Sequence, residues 1–480
     1  MTTETAAAWI ERENPARPNE CVGRIAKDDA EQVAARVASA ARAQCGWAKL
    51  PLEARAAMLR EAVAGVTDFE GLGATMAREM GKPVGESAGE VRFATILFGD
   101  MERRALRLLP DAERGSGPGR RLMRRRPVGV IGAIVPWNAP VILSATKVAP
   151  ALLSGNAIVV KPSPLAPLAT TAFLRTIAAR LPDGLLSVVN GDAETGNALI
   201  EAPEIGKIAF TGGTTVGRAV LARAASRFVP CIMELGSNDP LIVLDDCDLA
   251  PERLEGMIWG SLLNAGQVCM AAKRIFVHET IMARFLEAYV ETARRVLKMG
   301  DPLEAGVNLG PLVTAKARDA VETLAAEAVA AGGRTIDLLA EGAAGALETN
   351  GYFAMPRLVT GLDAEARLVR EEQFGPVFPV LSWRDEDEVV AMADAAPCLT
   401  ASVWSADADR AWALASRLEA GLSMINAHNR GGLSLDLPFG GSGEAGFGRE
   451  YADEGLLEYS IPKGLHQPAG AGGGRYPGQR

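Results

Sequence analysis

The run Val128-Gly-Val-Ile-Gly-Ala-Ile-Val-Pro-Trp-Asn138 reads as a buried strand that ends in a turn. Its first eight residues are small or apolar without polar alternation, the pattern of a strand covered on both faces. Pro136 stops it, and Asn138 opens the next apolar segment. Helical spacing follows at 141–153, then a second apolar run at 157–160. The alternation continues with strands at 186–189 and 207–211 and helices at 166–181, 193–201 and 215–226. Strand, crossover helix, strand is the mark of a parallel sheet with helices on both faces. Such sheets bind nucleotides at the carboxyl ends of their strands. The segments Pro136-Trp-Asn138, Lys161-Pro-Ser-Pro164 and Thr211-Gly-Gly-Thr-Thr-Val-Gly217 all fall at such ends.

Upstream, residues 1–25 are polar and Pro-rich and read as a surface arm. Ala-rich segments predict two helices over 30–66, broken at Leu50-Pro51, with Trp47 and Leu59 in the core. Residues 70–109 continue helical past a turn at Gly81-Lys-Pro83, and 110–119 is a Gly/Pro connection. Downstream, a second series begins: strand 241–244, helix 251–263, strand 274–278, helix 281–298 and a loop at 300–311. It continues with helix 315–331, a Gly-rich turn, strands near 353–359 and 377–382, helix 386–395, strand 401–404, helix 409–418 and strand 423–426. Residues 457–465 read as a strand-like tail that pairs with a partner subunit, and the last residues, 471–480, as disordered.

The chain has 480 residues, room for two or three domains. Its net charge of −9 argues against a nucleic-acid surface. The basic run Arg120, Arg121 and Arg124–Arg126 lacks interleaved aromatics and reads as a solvated strand or an oligomer contact. No apolar stretch is long enough to span a membrane, and no secretory leader is legible. The six cysteines form no framework, which fits a reducing cytoplasm. With three histidines and no Cys/His cluster, no metal site is expected.

Asn264-Ala-Gly-Gln-Val-Cys-Met270 places a thiol among small residues between a helical run and a strand. Met233-Glu-Leu-Gly-Ser-Asn-Asp-Pro240 carries a carboxylate 35 residues upstream, and Glu371-Glu-Gln-Phe-Gly-Pro376 a second acidic turn. A nucleophile, a base, an amide donor and a ligand anchor are what covalent chemistry on a carbonyl requires.

Taken in order, these motifs resemble the aldehyde dehydrogenase superfamily from about residue 14 to about residue 459. The resemblance implies an α/β fold of two doubly wound parallel-sheet domains with a small oligomerisation arm. By it, 1–112 and 127–236 form the cofactor domain, 237–444 the catalytic domain, and 113–126 with 455–470 the arm. The implied activity is oxidation of an aldehyde to its acid with NAD or NADP. The implied assembly is a cytoplasmic homodimer or homotetramer. Cys269 is the nucleophile, Asn138 an oxyanion donor, and Glu234 the base that activates water against the thioester. Trp137, Lys161, Ser163, Gly213, Gly217, Glu372 and Phe374 would hold the cofactor. Leu143, Thr146, Val268, Met270, Leu433 and Phe439 would line the substrate funnel, mostly apolar, which favours a medium-sized aliphatic or aromatic aldehyde. His428 and Arg430 are potential polar anchors there.

Three places depart from the family pattern. Pro164 replaces an acidic residue, which opens the site to NADP. Ser237 stands where a second Gly is usual and threatens crowding. Ser442 to Ala445 match the closing motif only in part. Two alternatives stay open: an acyl-transferring relative, against which Glu234 argues, and a catalytically silent homologue.

Overall fold

The structure, a computed structural model, describes residues 8–115 and 119–469. The expected disordered tail, 471–480, lies outside the described residues, as does part of the Gly/Pro connection. Two large sheets organise the chain. The first has six strands in the order Gly446–Phe447, Cys231–Glu234, Ile205–Thr211, Val130–Ile134, Ala157–Lys161, Leu186–Val188. All its pairings are parallel except that of the two-residue edge strand Gly446–Phe447. The second has seven strands in the order Arg334–Asp337, Arg357–Thr360, Val377–Trp383, Arg274–His278, Pro240–Val243, Thr400–Trp404, Leu422–Ile425. Only its Arg334–Asp337 edge runs antiparallel.

Helices cover both sheets. Pro140–Leu153, which crosses over between the strands Val130–Ile134 and Ala157–Lys161, is buried at every residue. It begins with Pro at its first position, where the missing N–H costs nothing. Val84–Leu108 packs beside it. Trp47 and Leu59 are in the core, as expected.

Three expectations change. Residues 9–26 form a hairpin, Trp9–Asn14 with Arg17–Ala26, rather than a loose arm. Its inward positions are Ile10, Arg12 and Asn14. Two of these are polar and bonded inside the protein, Arg12 Nη2 donating to Glu79 O at 2.9 Å and Asn14 Nδ2 to Glu20 at 3.1 Å, so no apolar alternation announces the strand. Arg334–Asp337 is an edge strand where a Gly-rich turn was expected. The strand near 353–359 begins only at Arg357, after Pro356, and runs to Thr360. The tail is a strand as expected, and within the chain Ser460–Pro468 pairs along its whole length with Gly119–Pro127. Ala112–Glu113 completes this third sheet. The basic run thus sits on a strand, with Arg124 paired to Asp111.

Candidate functional site

A cleft of about 820 Å³ opens at the carboxyl ends of the six-stranded sheet. Trp137, Asn138, Lys161, Ser163, Pro164, Gly213, Glu372 and Phe374 line it, and Cys269 reaches it from the other sheet. Gly217 does not line it. A Cβ there would meet Leu235 Cδ2 at 2.3 Å, so this glycine lets the helix Thr214–Ala225 lie close to its sheet.

The cysteine turn follows the helix Pro251–Leu262 and a 3₁₀ turn, Leu263–Gly266. Asn264 and Ala265 are left-handed, with φ of 50° and 55°. Such backbone is strained for residues with a Cβ and persists only where the surroundings hold it. Gly266 follows with φ 78°, and a Cβ there would lie 2.6 Å from Gly375 O.

Side chains fix the rest of the turn. Gln267 O accepts from Asn138 Nδ2 at 3.0 Å, and Val268 O from Lys273 Nζ at 2.8 Å. Cys269 O accepts from Ser237 Oγ at 2.5 Å, and Met270 O faces His428 Nε2 at 3.1 Å. Four consecutive carbonyls are therefore held from outside. The Asn138 amide spends one hydrogen on Gln267 and retains a second. Ser237, which looked like a steric risk, is a donor to the Cys269 carbonyl.

His428 is not a pocket anchor. It is buried, its Nδ1 lies 2.7 Å from Ser402 Oγ, and burial lowers its pKa to about 4, so the ring is neutral. Arg430 is exposed, with its guanidinium 3.9 Å from the buried Glu90 carboxylate. Glu90 also pairs with Lys82 and accepts from the Val141 and Ile142 N–H groups.

Glu234 ends the strand Cys231–Glu234, buried, with neither carboxylate oxygen hydrogen-bonded. Burial and then the nearby Glu450 carboxylate push its pKa well above the ordinary range. Glu450 takes a 2.5 Å ion pair from Lys147, which also donates to Thr211 Oγ1 at 2.8 Å. This buried Lys147–Glu450 pair was not read from the sequence. Its one trace is a lone cation in an otherwise apolar helix. Burial pushes the Cys269 thiol up, and the Lys273 cation works against that.

The cleft suits a dinucleotide. Lys161 Nζ is buried and makes one 3.3 Å bond, to Pro162 O, and burial lowers its pKa to about 8. The helix Thr214–Ala225 starts at Gly213 without a side-chain cap, leaving N–H groups for an anion. Glu372 keeps a buried oxygen, Oε1, without a hydrogen-bond partner. Phe374 packs edge-on to Trp137 at 5.7 Å.

None of the residues expected in the substrate funnel lines this cleft. Leu143 and Thr146 lie buried on the helix Pro140–Leu153, where Thr146 Oγ1 bonds back to Leu143 O. Val268 and Met270 flank the thiol half-buried. Met270 and Leu433 pack against the cluster that contains Phe439 and Tyr451. Those two rings meet edge-on at 6.0 Å. Tyr451, left-handed at φ 56°, escaped the sequence reading. Among the described residues no cluster of ligands suits a metal, and no helix is long and apolar enough to cross a membrane.

A model of the aldehyde dehydrogenase family matches residues 2–464. Mitochondrial succinate-semialdehyde dehydrogenase of Arabidopsis thaliana is 35% identical over 92% of this chain and 81% of its own length. The NADP(+) succinate-semialdehyde dehydrogenase of Escherichia coli is 33% identical over 94% and 92%. The crystal structure of an NAD-dependent aldehyde dehydrogenase from Sinorhizobium meliloti superposes with a TM-score of 0.91 at 29% identity, covering 98% of this chain and 93% of that one.

Proposed function

Because this chain belongs to the aldehyde dehydrogenase family and is an oxidoreductase that uses NAD or NADP on an aldehyde, we propose that Cys269 is its nucleophile, Asn138 its oxyanion donor and Glu234 its hydrolytic base. One observation carries this reading. Cys269 reaches the same cleft as Lys161, Glu372 and Phe374, and Glu234, a buried carboxylate without a hydrogen-bond partner, immediately precedes Leu235 and Gly236, which line that cleft.

Cys269 Sγ adds to the aldehyde carbon. The carbonyl oxygen gains charge and takes hydrogen bonds from the free Asn138 N–H and the Cys269 backbone N–H. Donors already in place stabilise that charge without reorganisation, and losing one typically costs ~10²–10³ in rate. Lys161 and Ser163 would hold the adenosine ribose, the free N–H groups after Gly213 the pyrophosphate and Glu372 the nicotinamide ribose, with Phe374 against the nicotinamide end and Trp137 near the cofactor. When bound, the nicotinamide accepts the hydride. The acyl group left on Cys269 is a thioester, and Glu234 takes a proton from the water that hydrolyses it. A carboxylate with a raised pKa is a stronger base than an ordinary one.

Met270 and Leu433, which pack with Cys269 against one apolar cluster, support a medium-sized aliphatic or aromatic aldehyde. Pro164, in place of a carboxylate that would repel a 2′-phosphate, supports use of NADP. The two parallel sheets support division into a cofactor domain (1–112 and 127–236) and a catalytic domain (237–444). The exposed outer face of Ser460–Pro468, with Ile461 and Leu465, supports a homodimer or homotetramer formed through 113–126 and 455–470. Six free cysteines suit a cytoplasmic protein.

The test is reduced-nicotinamide formation over aliphatic, aromatic and carboxylated aldehydes. It uses both cofactors, with and without a CoA thiol, for wild type and Cys269→Ala. Turnover to a free acid that Cys269→Ala abolishes upholds the reading. Turnover that survives in Cys269→Ala, or that requires CoA, overturns it.

A further inference from the structure

Lys273 stands four residues after Cys269, and its ammonium is shut away from water. Nζ donates to Val268 O at 2.8 Å, and to Gly266 O and Gln373 O at 3.4 Å each. It lies 3.6 Å from Glu372 Oε1 and 4.6 Å from the centre of the Phe374 ring. An ammonium has three donors, and all three go to main-chain carbonyls. Two belong to the cysteine turn and one to the loop that carries Glu372 and Phe374.

A buried cation is costly, and an apolar side chain of similar length fills the same space without that cost. The cost falls beside the thiol. The charged groups around Cys269 are Lys273, Asp239, Glu234 and Glu372, with the Tyr451 phenol also near. Three of these are carboxylates, which oppose a thiolate. Lys273 is the cation among them. Asp239 is engaged elsewhere, accepting from Leu399 N, Thr400 N and Thr400 Oγ1. Glu372 shares the Lys273 charge and is also the proposed ligand of the cofactor's ribose.

We propose that Lys273 is a positioning residue for the reaction. Its ammonium ties the cysteine turn to the Glu372–Phe374 loop and favours the Cys269 thiolate. Glu372 offsets that charge until the cofactor engages it. The last step rests on the proposed role of Glu372; the first two do not. The proton leaves Sγ for solvent, and no bond to Lys273 is made or broken.

The experiment is alkylation of full-length, cofactor-free protein by iodoacetamide. Cys269 is followed by peptide mass spectrometry across the pH range in which thiols titrate, because the thiolate is the reacting form. In Lys273→Met the inflection moves to higher pH, by about one unit or more. At a fixed pH below it Cys269 then reacts about tenfold more slowly. Lys273→Arg restores most of the rate. Lys273→Gln, which keeps a donor but no charge, behaves like the Met variant and replaces it should that variant fail to fold. A purely structural role would scale the rate equally at every pH and leave the inflection in place. That result in the neutral variant overturns the proposal.

Adding NADP to wild type is expected to speed Cys269 alkylation severalfold, and to do so in neither Lys273→Met nor Glu372→Gln. Cofactor binding is read separately by quenching of tryptophan fluorescence. If wild type binds no cofactor, the role given to Glu372 fails, while the cofactor-free comparison still decides on Lys273.

Discussion

Lys147 Nζ lies 2.5 Å from Glu450 Oε1, and neither side chain reaches water. A buried ion pair adds little net stability compared with apolar residues of the same volume, so its place matters more than its strength. Its place is beside Glu234. Burial raises the pKa of that residue most, the Glu450 carboxylate raises it further and Lys147 lowers it, so the pair adjusts the proton affinity of the proposed base.

Glu450→Gln removes the charge that raises Glu234. A base works deprotonated, so activity climbs as pH passes upward through its pKa. Lowering that pKa moves the acid limb of the kcat profile to lower pH. The profile of the variant against wild type checks this, and coincident acid limbs would refute it.

Glu234→Gln leaves thiol attack and hydride loss intact and removes the base for hydrolysis. Rapid-mixing absorbance is expected to show a burst of reduced cofactor, followed by a steady rate lower by about 10²–10⁴-fold. A variant without a burst would place Glu234 before the thioester rather than after it.

Ser237→Ala leaves the buried Cys269 carbonyl without its donor. The expected loss is about 1–3 kcal/mol of stability, read by urea unfolding, together with a fall in kcat. Ser237→Gly should cost at least as much, since it also frees the backbone. Unchanged unfolding midpoints and kcat would show that the hydroxyl does not brace the turn.

His428 has a folded pKa of about 4 against an unfolded value of about 6.5. The unfolded chain therefore binds the extra proton first. The stability this neutral ring contributes is full above about pH 6.5 and is lost as pH falls toward 4, on the order of 3 kcal/mol. His428→Gln should be less stable at neutral pH and lose less on acidification. Parallel stability curves would count against the neutral ring.

Pro164→Glu introduces a carboxylate at the edge of the cleft. Repulsion of a 2′-phosphate should raise KM for NADP by about tenfold or more while sparing NAD. Equal changes for both cofactors would mean that the ribose lies elsewhere.

The parallel strands were legible because a strand covered on both faces carries an unbroken apolar run. Val130–Ile134 and Ala157–Lys161 fall within two residues of where the sequence puts them. The hairpin Trp9–Asn14 was not, because Arg12 and Asn14 face inward and mask the alternation. Arg334–Asp337 is a polar, largely exposed edge, which periodicity cannot register. Motif order brought Trp137, Lys161, Glu372, Phe374 and Cys269 to one cleft. The supporting contacts stayed hidden for two reasons. Lys147 and Glu450 are 303 residues apart. The acceptors of Ser237, Lys273 and His428 are main-chain carbonyls, which carry no residue identity to read.

The four donors that hold carbonyls 267 to 270 come from Asn138, Ser237, Lys273 and His428, positions scattered from the first sheet to the last strand of the second. No early fragment of the chain contains them all. During synthesis, or after partial unfolding, Cys269 is an unremarkable thiol among six. The proposed nucleophile therefore has its braced turn only once residues from Asn138 to His428 are folded together, so a partly made chain would not carry an armed thiol.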